Sequence, residues 1–227
     1  MSSKLVNEQN ESSSRPVLKR NVRLDSSHAQ QAYRRNFDQF GKDSITLTVT
    51  GRIYAPDQVV SDYVESLRAG MIALQADLQL ENERCKHLMN THGIVDEVEY
   101  TSPWMVSAEI TTPLAGLYLQ LILGLDTAIK SIDTLWHTGV VNDKVRTDRT
   151  YELRQRVIKA GGKLRGYATL IRKYRNNKLN PDGADDEGSE SLEEASVSDE
   201  VAVSDHGTDE KVVVLKSGPK AAKVARG

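Results

Sequence analysis

From Pro56 to Met89 the apolar residues recur at Val60, Val64, Leu67, Met71, Leu74, Leu78, Cys85 and Leu88. That 4-3-4-3 spacing puts them along one side of a helix, and a strand cannot accommodate it. Pro56 suits a helix start, where a missing N–H costs nothing. Glu81 is the one break in the line, and Gly70 is a candidate bend. A long helix with a single apolar stripe has to bury that stripe on another layer, so the chain must fold largely as packed helices.

Two further helices follow from the same reasoning. Thr112-Pro113 reads as a cap and first-turn proline for a helix carrying Leu114, Leu117, Tyr118, Leu121, Leu125, Ala128, Ile132 and Leu135, closed by Gly139. It is apolar almost all round through Leu125, so it should be the central core helix. Its apolar run, Leu114–Leu125, is interrupted by Gln120 and falls short of the roughly 18 residues that a membrane span needs. Asn142 or Asp143 caps a third helix to about Lys178, with Val145, Tyr151, Ile158, Leu164, Tyr167, Ile171 and Tyr174 as its stripe. Gly161–Gly162 should kink or break it.

Strand signals are shorter. Ile45, Leu47 and Val49 alternate with Thr46, Thr48 and Thr50, a period of two that predicts a strand over Ile45–Tyr54 with one apolar face. Val95–Tyr100 and Trp104–Ile110 read as extended, the second with Trp104, Val106, Ala108 and Ile110 on one face. The expected fold class is mainly α with a small antiparallel β-ribbon.

The formal charge of −2 hides opposed blocks. Residues 1–40 carry +3, residues 41–111 −6, residues 112–178 +8, residues 179–210 −12 and residues 211–227 +5. Residues 1–40 are expected to be a flexible basic arm with a short extended piece at Pro16–Leu24. Residues 41–178 are expected to form the folded domain, and residues 179–227 a disordered acidic tail ending in a basic segment. One cysteine excludes an internal disulfide framework. With no apolar signal-peptide core at the N-terminus, a soluble, cytoplasmic chain is expected.

The third helix carries the strongest chemical signal. Between Lys144 and Lys178 it holds 12 basic residues opposed only by Asp148 and Glu152. A helix face that is merely solvated mixes signs, because like charges four apart repel. Two readings account for the excess. Nucleic acid would neutralise it through phosphates, with Arg146, Arg149, Arg154, Arg156, Lys159, Lys163 and Arg165 as contacts. Alternatively, the helix pairs with acidic groups of the same chain or of a protein partner. Thr46, Thr48, Thr50 and Arg52, on the polar face of the expected strand, are candidate base contacts for a ribbon in the major groove. Such a ribbon, built from one strand per subunit, would require a homodimer.

Catalytic signals are thin. Cys85, His87 and His92 lie close in sequence, but helical geometry splits Cys85 from His87, and no second cluster completes a zinc site. Gly161-Gly162-Lys163 lacks the strand and spacing of a phosphate loop. No enzyme activity, cofactor, metal, small-molecule ligand or membrane partner is expected.

The segment Ser44–Tyr54, the long helix after it, and Leu125-Asp126 through Asp133-Thr134-Leu135-Trp136-His137-Thr138-Gly139 resemble the AcaB-like regulators of conjugative plasmids and integrating elements. The Arg-rich helix Arg146–Arg175 is similar as well, so the resemblance covers about residues 45–175. It implies a bacterial transcriptional regulator, binding promoter DNA through a ribbon-helix-helix-like element and activating transfer genes. The ribbon role would fall on Thr46, Thr48 and Thr50. One departure is that a compact ribbon-helix-helix unit has short helices, so either Gly70 divides the long helix or the fold is an elaborated relative. The function expected is thus a dimeric, double-stranded-DNA-binding regulator, the alternative being a helical adaptor for an acidic partner or for its own tail.

Overall fold

The computed structural model describes residues 16–180. The elements are β1 (Leu18–Leu24), α1 (Ser27–Ile45), a π-helical turn (Thr46–Thr50), α2 (Gly51–Tyr54), α3 (Asp57–Thr91), β2 (Trp104–Ile110), α4 (Pro113–His137) and α5 (Asp143–Leu179). The fold is mainly α with one two-stranded antiparallel sheet. The tail from residue 181 onward and the first fifteen residues lie outside the described residues.

The α4 helix forms where Thr112 and Pro113 place its start. The Thr112 hydroxyl accepts the Ala115 N–H at 3.2 Å, and Gly139, at φ 74°, ends the helix in the left-handed conformation that glycine adopts without strain. By length and apolarity alone α4 could cross a membrane. Here it is the central helix, with Tyr118, Leu119, Leu121, Ile122, Leu125 and Ile129 fully buried between α1, α3 and α5. Along α3, Val60, Leu67, Met71, Leu74, Leu78, Cys85 and Met89 are buried. The helix runs unbroken through Gly70, so Gly70 does not divide it into short helices.

Two expectations at the N-terminal side are corrected. Residues 18–40 are not a flexible arm. They are β1 and most of α1, and Ala29, Ala32, Tyr33, Phe37 and Phe40 are core residues. Tyr33 stacks on Phe37 and Phe40 on Tyr118, with centroids 4.6 and 4.2 Å apart. Nor is Ile45–Tyr54 a strand. The backbone stays helical from Ser27 to Tyr54, through the π-helical turn. The Thr46 and Thr48 hydroxyls donate to the carbonyls of Lys42 and Ser44, four residues back, at 3.2 and 2.8 Å. Of the alternating apolar residues only Leu47 is buried. Helical geometry turns Val49 outward, leaving it 54% exposed. The run ends at Ala55 because the residue before Pro56 is pushed out of the helical region.

The ribbon therefore lies elsewhere and within one chain. Strand β1 pairs with β2 from Leu18↔Ile110 to Leu24↔Trp104. Its inner face, with Val22, Leu24 and Ala108 buried, closes over the helices. Trp104 meets the Tyr33 ring edge-on at 5.4 Å. The Asp126 carboxylate of α4 locks the ribbon to α1, accepting the N–H groups of Asp25 and Ser26 and the Ser26 hydroxyl.

Candidate nucleic-acid interface

Helix α5 begins where Asn142 accepts the Val145 N–H at 2.9 Å. It buries Thr150, Leu153, Val157, Leu164, Ala168 and Ile171. The stripe expected from sequence is corrected on this point. Leu164 and Ile171 belong to it, but Tyr151 is 54% exposed, and Val145 and Tyr174 are also exposed. The helix passes straight through Gly161–Gly162. Gly161 is there for clearance, since a Cβ at that position would come within 2.9 Å of the Tyr118 hydroxyl oxygen.

Many of the basic residues on α5 have partners inside the molecule. Arg146 pairs with Asp133 of α4 at 2.6 Å, its guanidinium 4.2 Å from the Trp136 ring centroid. Asp133 also accepts the Tyr100 hydroxyl at 2.6 Å, and burial, then that hydrogen bond, push the Tyr100 phenol far up. Arg149 pairs with Glu152 one turn along, and Arg156 with Asp77 of α3. Arg154 donates to Gln31 of α1 at 3.0 Å. Arg172 at 2.6 Å and Arg165 at 4.0 Å converge on Asp43, which is 1% exposed. Lys178 reaches the Ile53 carbonyl. Pairing with acidic groups of the same chain thus accounts for much of the arginine content.

The lysines behave differently. Among the described residues, Lys144, Lys159, Lys163 and Lys173 have no acidic partner, and all four are exposed. At 3.6 residues per turn they lie within about 70° of the direction opposite the buried line, so they project outward. From Lys159 to Lys173 the strip runs about 21 Å along the helix at 1.5 Å per residue. Gly162 and Gly166 lie on the same side with open space beyond them. This face presents ammonium groups on flexible stems over a low backbone, well suited to a row of phosphates.

Of the other expected site residues, Thr46, Thr48 and Thr50 lie on the helical run and not on a ribbon, so their base-reading assignment falls with the strand. Arg52 is exposed on α2. The ribbon that does exist points Lys19, Asn21 and Arg23 of β1 and Met105, Ser107 and Glu109 of β2 outward. Lys19 pairs with Glu109 across the strands at 3.2 Å and Arg23 with Asp25 at 2.6 Å. Period-2 alternation in Lys19-Arg20-Asn21-Val22-Arg23-Leu24 was the available signal for this face, obscured by its short length.

Other chemistry is quiet. Cys85 is buried, and burial, with Glu81 adding, pushes its thiol up to about 11. Among the described residues no three His, Cys, Asp or Glu side chains are placed to share a metal ion. A cleft of about 210 Å³ between α3 and α5 is lined by Asp77, Glu81, Arg84, Arg149, Glu152 and Arg156, charges that largely satisfy one another.

A central apolar helix, a small ribbon and a lysine-faced outer helix together define a mainly α protein. Selenomethionine-containing AcaB from uropathogenic E. coli has a crystal structure similar to this one, with a TM-score of 0.69 and 29% sequence identity. The match covers 74% of this chain and 86% of that one. No family model and no curated protein matches the chain.

Proposed function

We propose that this protein is a regulator that binds double-stranded DNA, its phosphates held by the outward lysines of α5. The observation that carries this reading is the row Lys144, Lys159, Lys163 and Lys173, exposed and without acidic partners on a helix whose arginines are mostly paired. Unpaired cations on one rigid face are costly to keep together unless a polyanion meets them. The outward face of the ribbon supplies a second contact, because a two-stranded antiparallel ribbon fits the major groove. Asn21 and Ser107 offer donors and acceptors to base edges there, with Arg23 beside them. Activation of conjugative transfer genes, in a bacterial cytoplasm, is the role that the AcaB-like resemblance supports.

Fluorescence anisotropy with a labelled duplex at 50 and 200 mM salt tests the reading. With four phosphates neutralised and a slope of about −0.9 per phosphate, affinity should fall about 10²-fold between the two concentrations. Lys→Gln at 144, 159, 163 and 173 should weaken binding to every sequence and flatten that slope. Negligible binding by the parent protein at 50 mM salt would sink the proposal. Asn21→Ala should instead alter preference among sequences while leaving the salt slope unchanged.

A further inference from the structure

Tyrosines line the seam between α3 and the C-terminal half of α5. Tyr63 and Tyr167 stack with ring centroids 4.3 Å apart and planes 3° from parallel, and both stay partly exposed. Tyr174 follows about two turns beyond Tyr167 on the same side of α5. Burial first, then the Tyr174 phenol, hold the Tyr63 phenol above its usual pKa, so the third ring lies beside the pair. Leu170 stands between Tyr167 and Tyr174 along the helix. Joining α3 to α5 accounts for the Tyr63–Tyr167 stack, but not for leaving Leu170 and Tyr174 37% and 39% exposed beside it.

The same stretch is purely cationic. From Lys159 to Lys178 helix α5 carries no Asp or Glu. Lys163, Tyr167, Leu170 and Tyr174 fall within about 60° of one another around the helix, with Lys159 and Lys173 on the outward margin. These three lysines have no acidic partner among the described residues. Asp62 and Glu65, the acids nearest Tyr63 along α3, point about 100° and 160° away from it around that helix. Tyr167, Leu170 and Tyr174 succeed one another at about 4.5 and 6 Å along the axis.

Cations interleaved with aromatic rings are what an unpaired nucleotide strand requires, ammonium groups for its phosphates and ring faces on which its bases stack. A duplex cannot use the rings. Its paired bases offer only their edges in the grooves, so a tyrosine beside a phosphate-binding lysine row meets backbone and no base face. We propose that the α3–α5 seam holds single-stranded DNA, with bases stacked on Tyr174 and on the Tyr63–Tyr167 pair and phosphates on Lys159, Lys163 and Lys173. The proposal rests on the reading of these lysines as phosphate contacts and adds base contacts that duplex binding does not use.

Fluorescence anisotropy with the full-length chain at 50 mM salt tests it. The labelled probes are an oligothymidine strand, the same strand with most bases replaced by abasic sites, and a duplex. Oligothymidine should bind at least about fivefold more tightly than the abasic strand, which keeps every phosphate. Tyr174→Ala should remove most of that difference and Tyr174→Phe should retain it, both with unchanged duplex affinity and helical circular dichroism. Equal binding of the thymidine and abasic strands, or a Tyr174→Ala loss shared by the duplex, would overturn the proposal. Duplex binding without base-dependent single-strand binding would overturn it and leave the duplex reading standing. Base-dependent single-strand binding without duplex binding would do the reverse, and binding of no probe would sink both.

Discussion

Ser26 donates both its backbone N–H and its hydroxyl to one oxygen of Asp126, at 2.7 and 2.6 Å, a hundred positions along the chain. The other Asp126 oxygen takes the Asp25 N–H at 2.9 Å. One buried carboxylate thus fixes the bend between β1 and α1 and lies near the N-terminal end of α1, where negative charge is favourable. Asp126→Ala would leave three donors without their acceptor and should cost about 3 kcal/mol in urea unfolding. Asp126→Asn, which keeps one acceptor oxygen, should cost less. Equal losses in the two variants would contradict this account.

Neighbouring glycines on α5 should respond with opposite signs. Gly161→Ala drives a methyl group toward Tyr118, whose ring is pinned by stacking on Phe40 and whose hydroxyl bonds the Val157 carbonyl. A loss of about 1–3 kcal/mol is expected. Gly162→Ala meets open space in a helix interior and should stabilise by about 0.5–1 kcal/mol. Thermal melts of the two variants side by side check the contrast.

His28 sets a pH dependence. It is partly buried at the start of α1, facing Arg154 and Arg146 of α5 and Asp133 of α4, and its Nδ1 has no hydrogen-bond partner. Burial, then the charge of Arg154, hold its pKa below the usual 6.5. The unfolded chain therefore binds this proton more readily than the folded one. The contribution is complete above about pH 6.5 and is lost as the pH falls through the lowered value. Replacing His28 with Gln should flatten the decline in unfolding free energy between pH 7.5 and pH 5.5. An unchanged slope would rule out His28 as its source.

Asp43 offers a test that separates stability from binding. Asp43→Asn removes the buried partner of Arg172 and Arg165 and should lower stability by about 1–3 kcal/mol. The same change frees two guanidinium groups on α5, so duplex affinity at low salt should rise, with a steeper salt dependence. Affinity that falls along with stability would show that these arginines do not face the nucleic acid.

The long helices were legible because their signals are redundant. Along α3 the apolar spacing repeats over many turns, and α4 carries its own cap, first-turn proline and terminal glycine. Around Thr46–Thr50 the opposite holds. Alternating threonines and aliphatics satisfy a strand pattern locally, and what decides for helix is tertiary, namely the burial of Leu47 and the tight passage of Gly51, whose Cβ would lie 3.1 Å from Val60. Helix α1 was hidden by polar neighbours, although Ala29, Ala32, Tyr33, Phe37 and Phe40 have helical spacing. Charge counting located the basic helix of the candidate site. It could not separate paired arginines from free lysines, because most of the acids that neutralise the arginines come from α1, α3 and α4. The stretch that carries the family resemblance proves to be scaffold, since Asp126, Asp133 and Thr134 are buried and bond to the loops and α5.

Helix α1 completes its side-chain bonding late in synthesis. Ser26 waits for Asp126, Gln31 for Arg154 and Asp43 for Arg172, which lie 100, 123 and 129 positions downstream. At about 5–20 residues per second, a nascent chain carries Phe37 and Phe40 for roughly 5 to 25 seconds before α5 leaves the ribosome. During that interval α1 lacks the α5 partners that complete its packing. Stalling translation short of α5 should leave α1 open to protease, whereas stalling well beyond Leu179 should protect it.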